Sequence, residues 1–249
     1  MIATLFHAHY SHYTEDLPFW HSLADAWGGP LLELGCGTGR VLSSLATARH
    51  IVWGIDRDAS MLSELRKRLT PALSTHVRLL QADMTNFALA QHFPLIIMPC
   101  NTFSTLQATD RGNTLKRIWR HLTERGCFAA SMPNPEKLQR LPAHGESEIE
   151  DWFTHPLDGH PVQVSSGWKR TSNEITIWWH YDHLLPDGRI ERKTMQTNHQ
   201  ICPAEEYLSH LETEGLWVAD LYGDYNRQLF TPQSDHLIFL AHKRDTNFS

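Results

Sequence analysis

The chain is 249 residues long, with 41% hydrophobic and 20% charged residues, a globular composition that excludes the disordered and fibrous classes. Its formal net charge of −6 disfavours nucleic acid as a partner, because binding to phosphate backbones usually requires a concentrated basic face. No stretch reaches the ~18 apolar residues of a membrane span, and residues 1–13 lack the pattern of a signal peptide.

The cysteines are widely spaced and form no Cys-x-x-Cys pair; they are Cys36, Cys100, Cys127 and Cys202. This usage is typical of reduced thiols in a cytoplasmic protein, and not of a disulfide framework or a zinc site. None of the 17 histidines forms a His-x-x-x-His pair with a third ligand at convincing spacing. We therefore expect a cytoplasmic protein without a metal site.

Strand and helix signals alternate through the first half of the chain, which is typical of a mostly parallel sheet covered on both faces. A helix is predicted over 16–27, where Leu17, Trp20 and Leu23 lie on one apolar stripe and Gly28-Gly29-Pro30 ends the pattern. Further helices are predicted from 38 to about 48, after Asp58, and between 110 and 122. Strands are predicted at 31–34, 51–55, 77–80, 95–98 and 127–131.

The pattern changes in the second half of the chain. Residues 152–200 alternate with the period of a strand, and the turn Pro186-Asp187-Gly188 divides two long runs, as expected for an antiparallel hairpin. A helix is predicted from 203 to about 214, followed by strands at 217–221 and 236–241. A strand-rich insertion therefore separates the fifth strand from the last helix and strands.

The most informative segment is Gly35-Cys36-Gly37-Thr38-Gly39, between a predicted strand and a predicted helix. Glycines at this place permit a sharp turn and the close approach of a nucleotide to the backbone. Asp56 closes the second strand, where a carboxylate accepts hydrogen bonds from ribose hydroxyls and disfavours a 2′-phosphate. Arg40 replaces the third glycine of a dinucleotide-binding motif, and Glu33 is a poor neighbour for a pyrophosphate. A nicotinamide cofactor is therefore disfavoured.

Residues 31–40, Leu-Leu-Glu-Leu-Gly-Cys-Gly-Thr-Gly-Arg, resemble motif I of the class I S-adenosylmethionine (SAM)-dependent methyltransferases nearly residue for residue. Gln81-Ala82-Asp83-Met84 resembles their adenine-binding motif, and Asn101-Thr102-Phe103-Ser104 resembles the segment at the methionine end of the cofactor. The similarity continues through 122–127, 214–216 and 222–225 to the final strand. The insertion is the loosest part, and it resembles the antiparallel strands that roof the active site in small-molecule and glycine N-methyltransferase-like enzymes.

This resemblance implies an α/β fold: a Rossmann-like, seven-stranded, mostly parallel sheet with helices on both faces, and an antiparallel β insertion roofing the active site. A single domain would span 1–249. Its parts are an N-terminal helical lid (1–30), a SAM-binding core (31–135), the strand-rich insertion on the substrate side (136–202), and the last helix and strands of the core (203–249).

The resemblance also implies which residues bind SAM. Asp56 would hold the ribose, Asp83 and Met84 the adenine, and a lid tyrosine would touch the cofactor. The expected cofactor-binding residues are Tyr10, Tyr13, Trp20, Glu33, Gly35, Gly37, Asp56, Asp83, Met84, Cys100 and Asn101. For Trp20, simple packing of the first predicted helix is an equally good interpretation.

The general base stays open at this point, because methyl transfer from a sulfonium depends mainly on alignment of the reacting atoms. The insertion offers His180, His183 and His199 as candidates, and the tail offers Tyr225. A hydroxyl acceptor benefits from such a base, whereas an amine acceptor needs only to lose a proton to solvent.

We expect transfer of a methyl group to a nitrogen or oxygen of a small molecule, by in-line displacement. Three alternatives stay open: a peptide or protein acceptor, a nicotinamide-dependent oxidoreductase, and a non-catalytic SAM-binding subunit. The Asn-Pro-Pro-Tyr motif of nucleic-acid amino methyltransferases is absent, since the corresponding place reads Pro99-Cys100-Asn101-Thr102. This difference counts against methylation of DNA adenine or protein glutamine. The sequence leaves the oligomeric state open.

Overall fold

The computed structural model describes residues 2–244, so residues 1 and 245–249 at the ends of the expected domain lie outside the described part. The central strands are β1 (Leu31–Leu34), β2 (Val52–Asp56), β3 (Val77–Gln81), β4 (Phe93–Met98), β5 (Leu122–Pro133), β10 (Leu216–Tyr222) and β11 (His236–Lys243). They form one sheet in the order β10-β11-β5-β4-β1-β2-β3. The pairs among β1 to β5 are parallel, whereas β11 is antiparallel to both of its neighbours.

Helices cover both faces of this sheet, because neighbouring residues of each strand point to opposite sides. The main helices are α2 (Leu17–Trp27), α3 (Arg40–Thr47), α4 (Ala59–Arg68), α6 (Ala108–His121) and α8 (Ala204–Thr213). Leu32 packs in one apolar core with residues of α6 and α8. Leu31 packs in another apolar core with residues of α2, α3 and α4. The other helices are α1 (Ile2–Tyr10), α5 (Pro71–Ser74), α7 (Pro135–Arg140) and the 3-10 turn Thr102–Thr105. Within residues 2–244, no helix combines the length and apolarity needed to cross a membrane.

The second sheet, here called the roof sheet, is antiparallel and consists of β6 (His144–Thr154), β7 (Pro161–Arg170), β8 (Glu174–Leu184) and β9 (Ile190–Gln200) in that order. Helix α1 connects it to the core. Leu5 of α1 packs with Val162 and Tyr181 of the roof sheet, while Thr4 donates a hydrogen bond to Glu64 of α4 at 3.0 Å. The expected fold class, a mostly parallel seven-stranded sheet with an added antiparallel sheet, is confirmed.

Three elements differ from the sequence predictions. Strand β6 begins at His144, before the predicted alternation at 152, because pairing with β7 holds these mostly exposed residues extended. Strand β5 begins at Leu122 because that residue pairs with Phe93 ahead of a register shift. Helix α7 follows a stretch that we interpreted only as a break: Asn134 Oδ1 accepts a hydrogen bond from the backbone N–H of Glu136 at 3.0 Å and caps the helix.

Candidate active site

The glycine loop between β1 and α3 adopts backbone angles that side chains rarely allow. Gly35 and Gly37 have φ values of 71° and 52°. A Cβ atom on Gly35 would lie 2.6 Å from Cγ2 of Thr102, so this glycine lets the loop pack against the segment that follows β4. At Gly37, no atom of residues 2–244 other than those of Gly37 and its two chain neighbours lies within 4 Å of such a Cβ. The loop therefore borders open space at Gly37.

Asp56, the last residue of β2, connects the strand to the glycine loop. Its Oδ2 accepts a hydrogen bond from the backbone N–H of Gly37 at 2.7 Å, and its Oδ1 accepts one from the N–H of Asp58 at 2.8 Å. Burial raises the pKa of the Asp56 carboxyl above its ordinary value, while these two hydrogen bonds oppose the rise. The carboxylate is thus held directly beside the open part of the loop.

Asp83 and Met84 follow β3 and lie at the same end of the sheet. Oδ1 of the exposed Asp83 accepts a hydrogen bond from the N–H of Thr85 at 2.8 Å, which lowers the pKa of Asp83. Cε of Met84 lies 3.5 Å from the position that a Cβ on Gly35 would take. The structure therefore brings the ends of β1, β3 and β4 together around the glycine loop.

Glu33 lies in β1, directly before this loop, and is 3% exposed. Its Oε2 atom has no hydrogen-bond partner among the described residues. Burial raises the pKa of the Glu33 carboxyl to about 8, although the nearby Arg40 guanidinium opposes the rise. A buried carboxylate oxygen without a partner is costly, so this position suits a ligand that carries a positive charge.

The raised pKa predicts how pH affects the stability of the ligand-free protein. A group with a pKa near 4.5 when unfolded and about 8 when folded contributes stability below pH 4.5, and this contribution is lost as the pH rises through 8. We therefore expect the contribution of Glu33 to the free energy of unfolding to fall between pH 5 and 8. Glu33→Gln, which cannot ionise, should reduce this fall in urea titrations without ligand. Equal pH profiles for the two proteins would contradict the prediction.

Cys100 and Asn101 follow β4 with φ values of 57° and 65°, in the left-handed region that residues other than glycine seldom occupy. Backbone strain of this kind clusters at functional sites. Solvent reaches the Cys100 side chain. The thiol nevertheless lies among protein groups, and its desolvation raises its pKa to about 11. Cys100 is therefore open to solvent and at the same time flanked by protein groups.

A buried ion pair joins the start of α2 to the start of α3, and the sequence analysis missed it. Arg40 donates to both carboxylate oxygens of Asp16, at 2.6 and 2.7 Å, and to the Cys100 sulfur at 2.8 Å. Trp20 Nε1 donates to Asp16 at 3.0 Å, and Trp20 is 0% exposed. Trp20 therefore packs in the core and orients Asp16, as in the packing interpretation. Only the i, i+4 spacing of Asp16 and Trp20 hinted at this cluster in the sequence.

Tyr10 is the last residue of α1, and Tyr13 follows it before α2 begins. Both side chains contact other parts of the protein. The ring of Tyr10 contacts Trp179 of β8 edge-on, with centroids 6.4 Å apart. The Arg40 guanidinium lies over the Tyr13 ring, 5.0 Å from its centroid. Burial raises the pKa of both phenols, that of Tyr13 to about 12.

Tyr225, from the segment between β10 and β11, lies close to these residues. Its hydroxyl donates a hydrogen bond to Ser131 Oγ at 3.2 Å. Burial raises its pKa, and it interacts electrostatically with Tyr13 and Cys100. Tyr10, Tyr13, Cys100 and Tyr225 thus interact with one another, and we refer to the place where these four side chains meet as the recess.

Two of the three histidine candidates for a general base, His199 and His180, have different surroundings. His199 is 4% exposed, and its Nδ1 lies 2.9 Å from Oγ of Ser104, in the 3-10 turn after β4. Burial lowers the pKa of His199 to about 4. His180 lies between Trp179 and Tyr181 on β8, so its side chain points to the opposite face of the roof sheet, where Nδ1 lies 2.8 Å from Thr194 Oγ1. The structure does not bring His180 to the recess.

Comparisons with known proteins agree with this geometry. The profile of the methyltransferase domain family matches residues 31–126. The cypemycin N-terminal methyltransferase of a Streptomyces species is 30% identical over 219 residues, which cover 87% of this chain and 84% of that protein. A S-adenosylmethionine-dependent methyltransferase from Clostridium acetobutylicum superposes with a TM-score of 0.81 at 17% identity, covering 98% of this chain and 100% of the other. A SAM-bound amino pentose methyltransferase from Micromonospora echinaspora gives 0.71 at 19% identity, covering 96% of this chain and 96% of the other.

Proposed function

This chain belongs to the class I SAM-dependent methyltransferases, and on that premise we propose that it transfers the methyl group of SAM to an amine nitrogen of a small molecule. Its cofactor is SAM. The four cysteines are free thiols, which agrees with the cytoplasmic location that we also propose.

The residues around the glycine loop fit SAM chemically. SAM is a nucleoside with sulfonium and ammonium charges and no phosphate, and the unpartnered Oε2 of the buried Glu33 suits such a cation. The open space at Gly37 leaves room for a ligand against the backbone. In this proposal, Asp56 binds the ribose, while Asp83 and Met84 bind the adenine.

We choose an amine as the acceptor because of the pKa values of the ionisable side chains in and near the recess. Its phenols, Tyr10, Tyr13 and Tyr225, have pKa values raised by burial, so they stay protonated at neutral pH. Burial lowers the pKa of His199 and of His236, whose ring lies 4.9 Å from that of Tyr225, so both bind protons less readily. A hydroxyl acceptor benefits from a base of near-neutral pKa, whereas a neutral amine already has its lone pair.

Strand β6 of the roof sheet carries the carboxylate of Glu150. The Glu150 carboxylate interacts electrostatically with His9, Tyr10 and Tyr181, which places it near the N-terminal helix and the recess. It accepts a hydrogen bond from the hydroxyl of Ser166, which orients it. Such a carboxylate favours an acceptor that arrives as an ammonium ion and loses its proton to solvent.

In the reaction, bound SAM supplies an electrophilic methyl group on its sulfonium. The residues of the recess have to hold the amine in line with the sulfur–methyl bond and exclude water, and such positioning is worth up to about 7–11 kcal/mol of the barrier. The Asp16–Arg40 pair fixes Cys100 and the first turn of α3, so it keeps the wall of the recess rigid.

A peptide with a free N-terminal amine is a second candidate acceptor. The relative that is 30% identical is named for methylation at the N-terminus of cypemycin. An open cavity of about 580 Å³ beside α1, lined by His7, Arg68, Asp151 and Trp152 among others, offers space for a longer acceptor.

The proposal is tested with methyl-labelled SAM and pairs of acceptors that differ at one atom. An amino sugar is compared with the sugar that has a hydroxyl at that position, and a peptide with its N-acetylated form, while an extract of the source cell supplies untargeted acceptors. We expect label on nitrogen in the small-molecule fraction. Label on oxygen would overturn the amine assignment, and label in peptides alone would favour the second candidate. Binding of SAM without any transfer would favour a non-catalytic subunit.

The proposed role of the N-terminal tyrosines gives a separate prediction. Replacing Tyr10 and Tyr13 by phenylalanine removes the two hydroxyls while it keeps the buried rings, so the fold should persist. We expect SAM affinity, measured by calorimetry, to fall at least several-fold, since a hydrogen bond is worth about 0.5–1.5 kcal/mol. Tyr222→Phe, a half-buried tyrosine of β10, is the matched control. Unchanged affinity in the double variant would remove these tyrosines from the cofactor site.

A further inference from the structure

A group of metal-ligand side chains lies outside the recess, at the far end of the roof sheet. His155 and Asp158 belong to the turn between β6 and β7, and His183 lies near the end of β8. One ligand atom from each of the three lies within 4.8 Å of the others. Oδ1 of Asp158 is 3.0 Å from Nδ1 of His155 and 3.2 Å from Nε2 of His183.

The contacts within this group leave nitrogen atoms unused. His155 is 7% exposed, and its Nδ1 has no partner with hydrogen-bond geometry in the described part of the chain. Nδ1 of His160 is in the same situation, although it lies 3.4 Å from the same Asp158 oxygen. Buried polar atoms nearly always have a hydrogen-bond partner. Nδ1 of His155 and Nδ1 of His160 lie close to one Asp158 oxygen without forming a hydrogen bond to it, which indicates a ligand that they share.

The distances suit a metal ion of zinc size. Zinc binds histidine nitrogen and carboxylate oxygen at about 2.0–2.2 Å in tetrahedral sites, which separates neighbouring ligand atoms by roughly 3.4 Å. The two distances from Asp158 Oδ1, 3.0 and 3.2 Å, are close to this value. The imidazoles of His155 and His183 are stacked 4.1 Å apart and 13° from parallel. Because the lone pair of an imidazole nitrogen lies in the plane of its ring, the two rings have to rotate apart when both bind one ion.

We propose that His155, Asp158 and His183 bind one divalent transition-metal ion, best matched by Zn²⁺, which fastens the β6–β7 turn to β8. Two imidazoles and one carboxylate are ligands typical of zinc. Asp158 is partly exposed, which gives the ion a path from solvent and leaves a fourth position for water or His160.

The site is structural and not catalytic. On β8, His183 is four residues from Trp179, whose ring contacts Tyr10 of the recess, and a strand of that length spans roughly 13 Å. His183 pairs directly with Val162, and Val162 and Tyr181 form the apolar surface on which Leu5 of α1 packs. A metal ion would therefore stabilise the surface that receives the N-terminal helix. This proposal does not depend on the acceptor of the methyl group.

No metal site is predicted from the sequence, because its histidines do not lie at the local spacing of metal ligands. His155 and His183 are far apart in the sequence, and only the antiparallel pairing of β7 with β8 brings them together.

The test uses the full chain without an affinity tag. After dialysis against a chelator, Zn²⁺ is titrated by calorimetry, and Co²⁺ is added separately to record its absorption spectrum. The variants are Asp158→Asn and His183→Gln; Asn keeps the side-chain oxygen that accepts a hydrogen bond from the N–H of His160 at 3.1 Å, so the turn should persist. His144→Gln, an exposed histidine of the same sheet, is the control for binding to surface histidines.

We expect one Zn²⁺ per chain, a tetrahedral Co²⁺ spectrum and a higher melting temperature with metal. Affinity should fall by at least about 10-fold in both variants, since even groups that only orient metal ligands contribute 10–100-fold. His144→Gln should bind as the unchanged protein does. Absence of saturable binding, or equal affinity in all variants, would overturn the proposal. Circular dichroism of each variant identifies any that fails to fold, and the other variant then decides.

Discussion

Asp56→Ala is expected to weaken SAM binding by about 100-fold or more while the domain stays folded. In the proposed complex, the carboxylate accepts hydrogen bonds from both ribose hydroxyls, and hydrogen bonds to a charged group are worth about 1.5–3 kcal/mol each. The substitution also frees the N–H of Gly37, which Asp56 holds at 2.7 Å, so the glycine loop loses its anchor. Calorimetric titration with SAM or S-adenosylhomocysteine measures the effect directly.

Asp58→Ala is the matched control for this substitution. Asp58 lies two residues further on and is exposed, and its Oδ1 caps α4 by accepting a hydrogen bond from the N–H of Ser60 at 2.7 Å. Loss of the cap should cost about 1 kcal/mol of stability and leave SAM affinity nearly unchanged. If Asp56→Ala bound SAM as tightly as Asp58→Ala, the assignment of the ribose to Asp56 would be wrong.

Gly37→Ala should weaken SAM binding by at least about 10-fold, because its methyl group would project into the space that we assign to the cofactor. An added methyl group in a filled site typically costs about 1–3 kcal/mol. The φ value of 52° adds backbone strain, since alanine avoids the left-handed region at a cost of about 1–2 kcal/mol. Two effects are therefore combined, one on stability and one on affinity.

Gly28 provides a control that separates them. It follows α2 with φ 59°, and apart from Gly28 and its two chain neighbours no described residue has an atom within 4 Å of a Cβ placed there, as at Gly37. Gly28→Ala should therefore lower the free energy of unfolding at least as much, since its ψ of −161° adds to the strain, without affecting SAM affinity. Thermal unfolding with and without SAM measures both quantities. Equal SAM affinity in the two variants would show that Gly37 does not face the cofactor.

The elements of the central sheet could be predicted closely from the sequence. Their buried strands are short apolar runs between turn signals, as in 31–34 and 95–98, and this pattern depends only on neighbouring residues. Strand β6 could not be predicted in this way, because its first residues are exposed and become extended only through pairing with β7. The helix after Asn134 could have been found from its cap and the proline that follows.

The family resemblance and the residues expected to bind SAM around the glycine loop follow from the sequence alone. These are local signals, since Gly35 and Gly37 lie in the loop directly after β1 and Asp56 is the last residue of β2. Only the tertiary structure decided that Arg40 pairs with Asp16, that His180 points away from the recess, and that His183 meets Asp158. Each of these depends on which strands and helices pack together, and contacts between residues distant in the chain leave no periodic signal in the sequence.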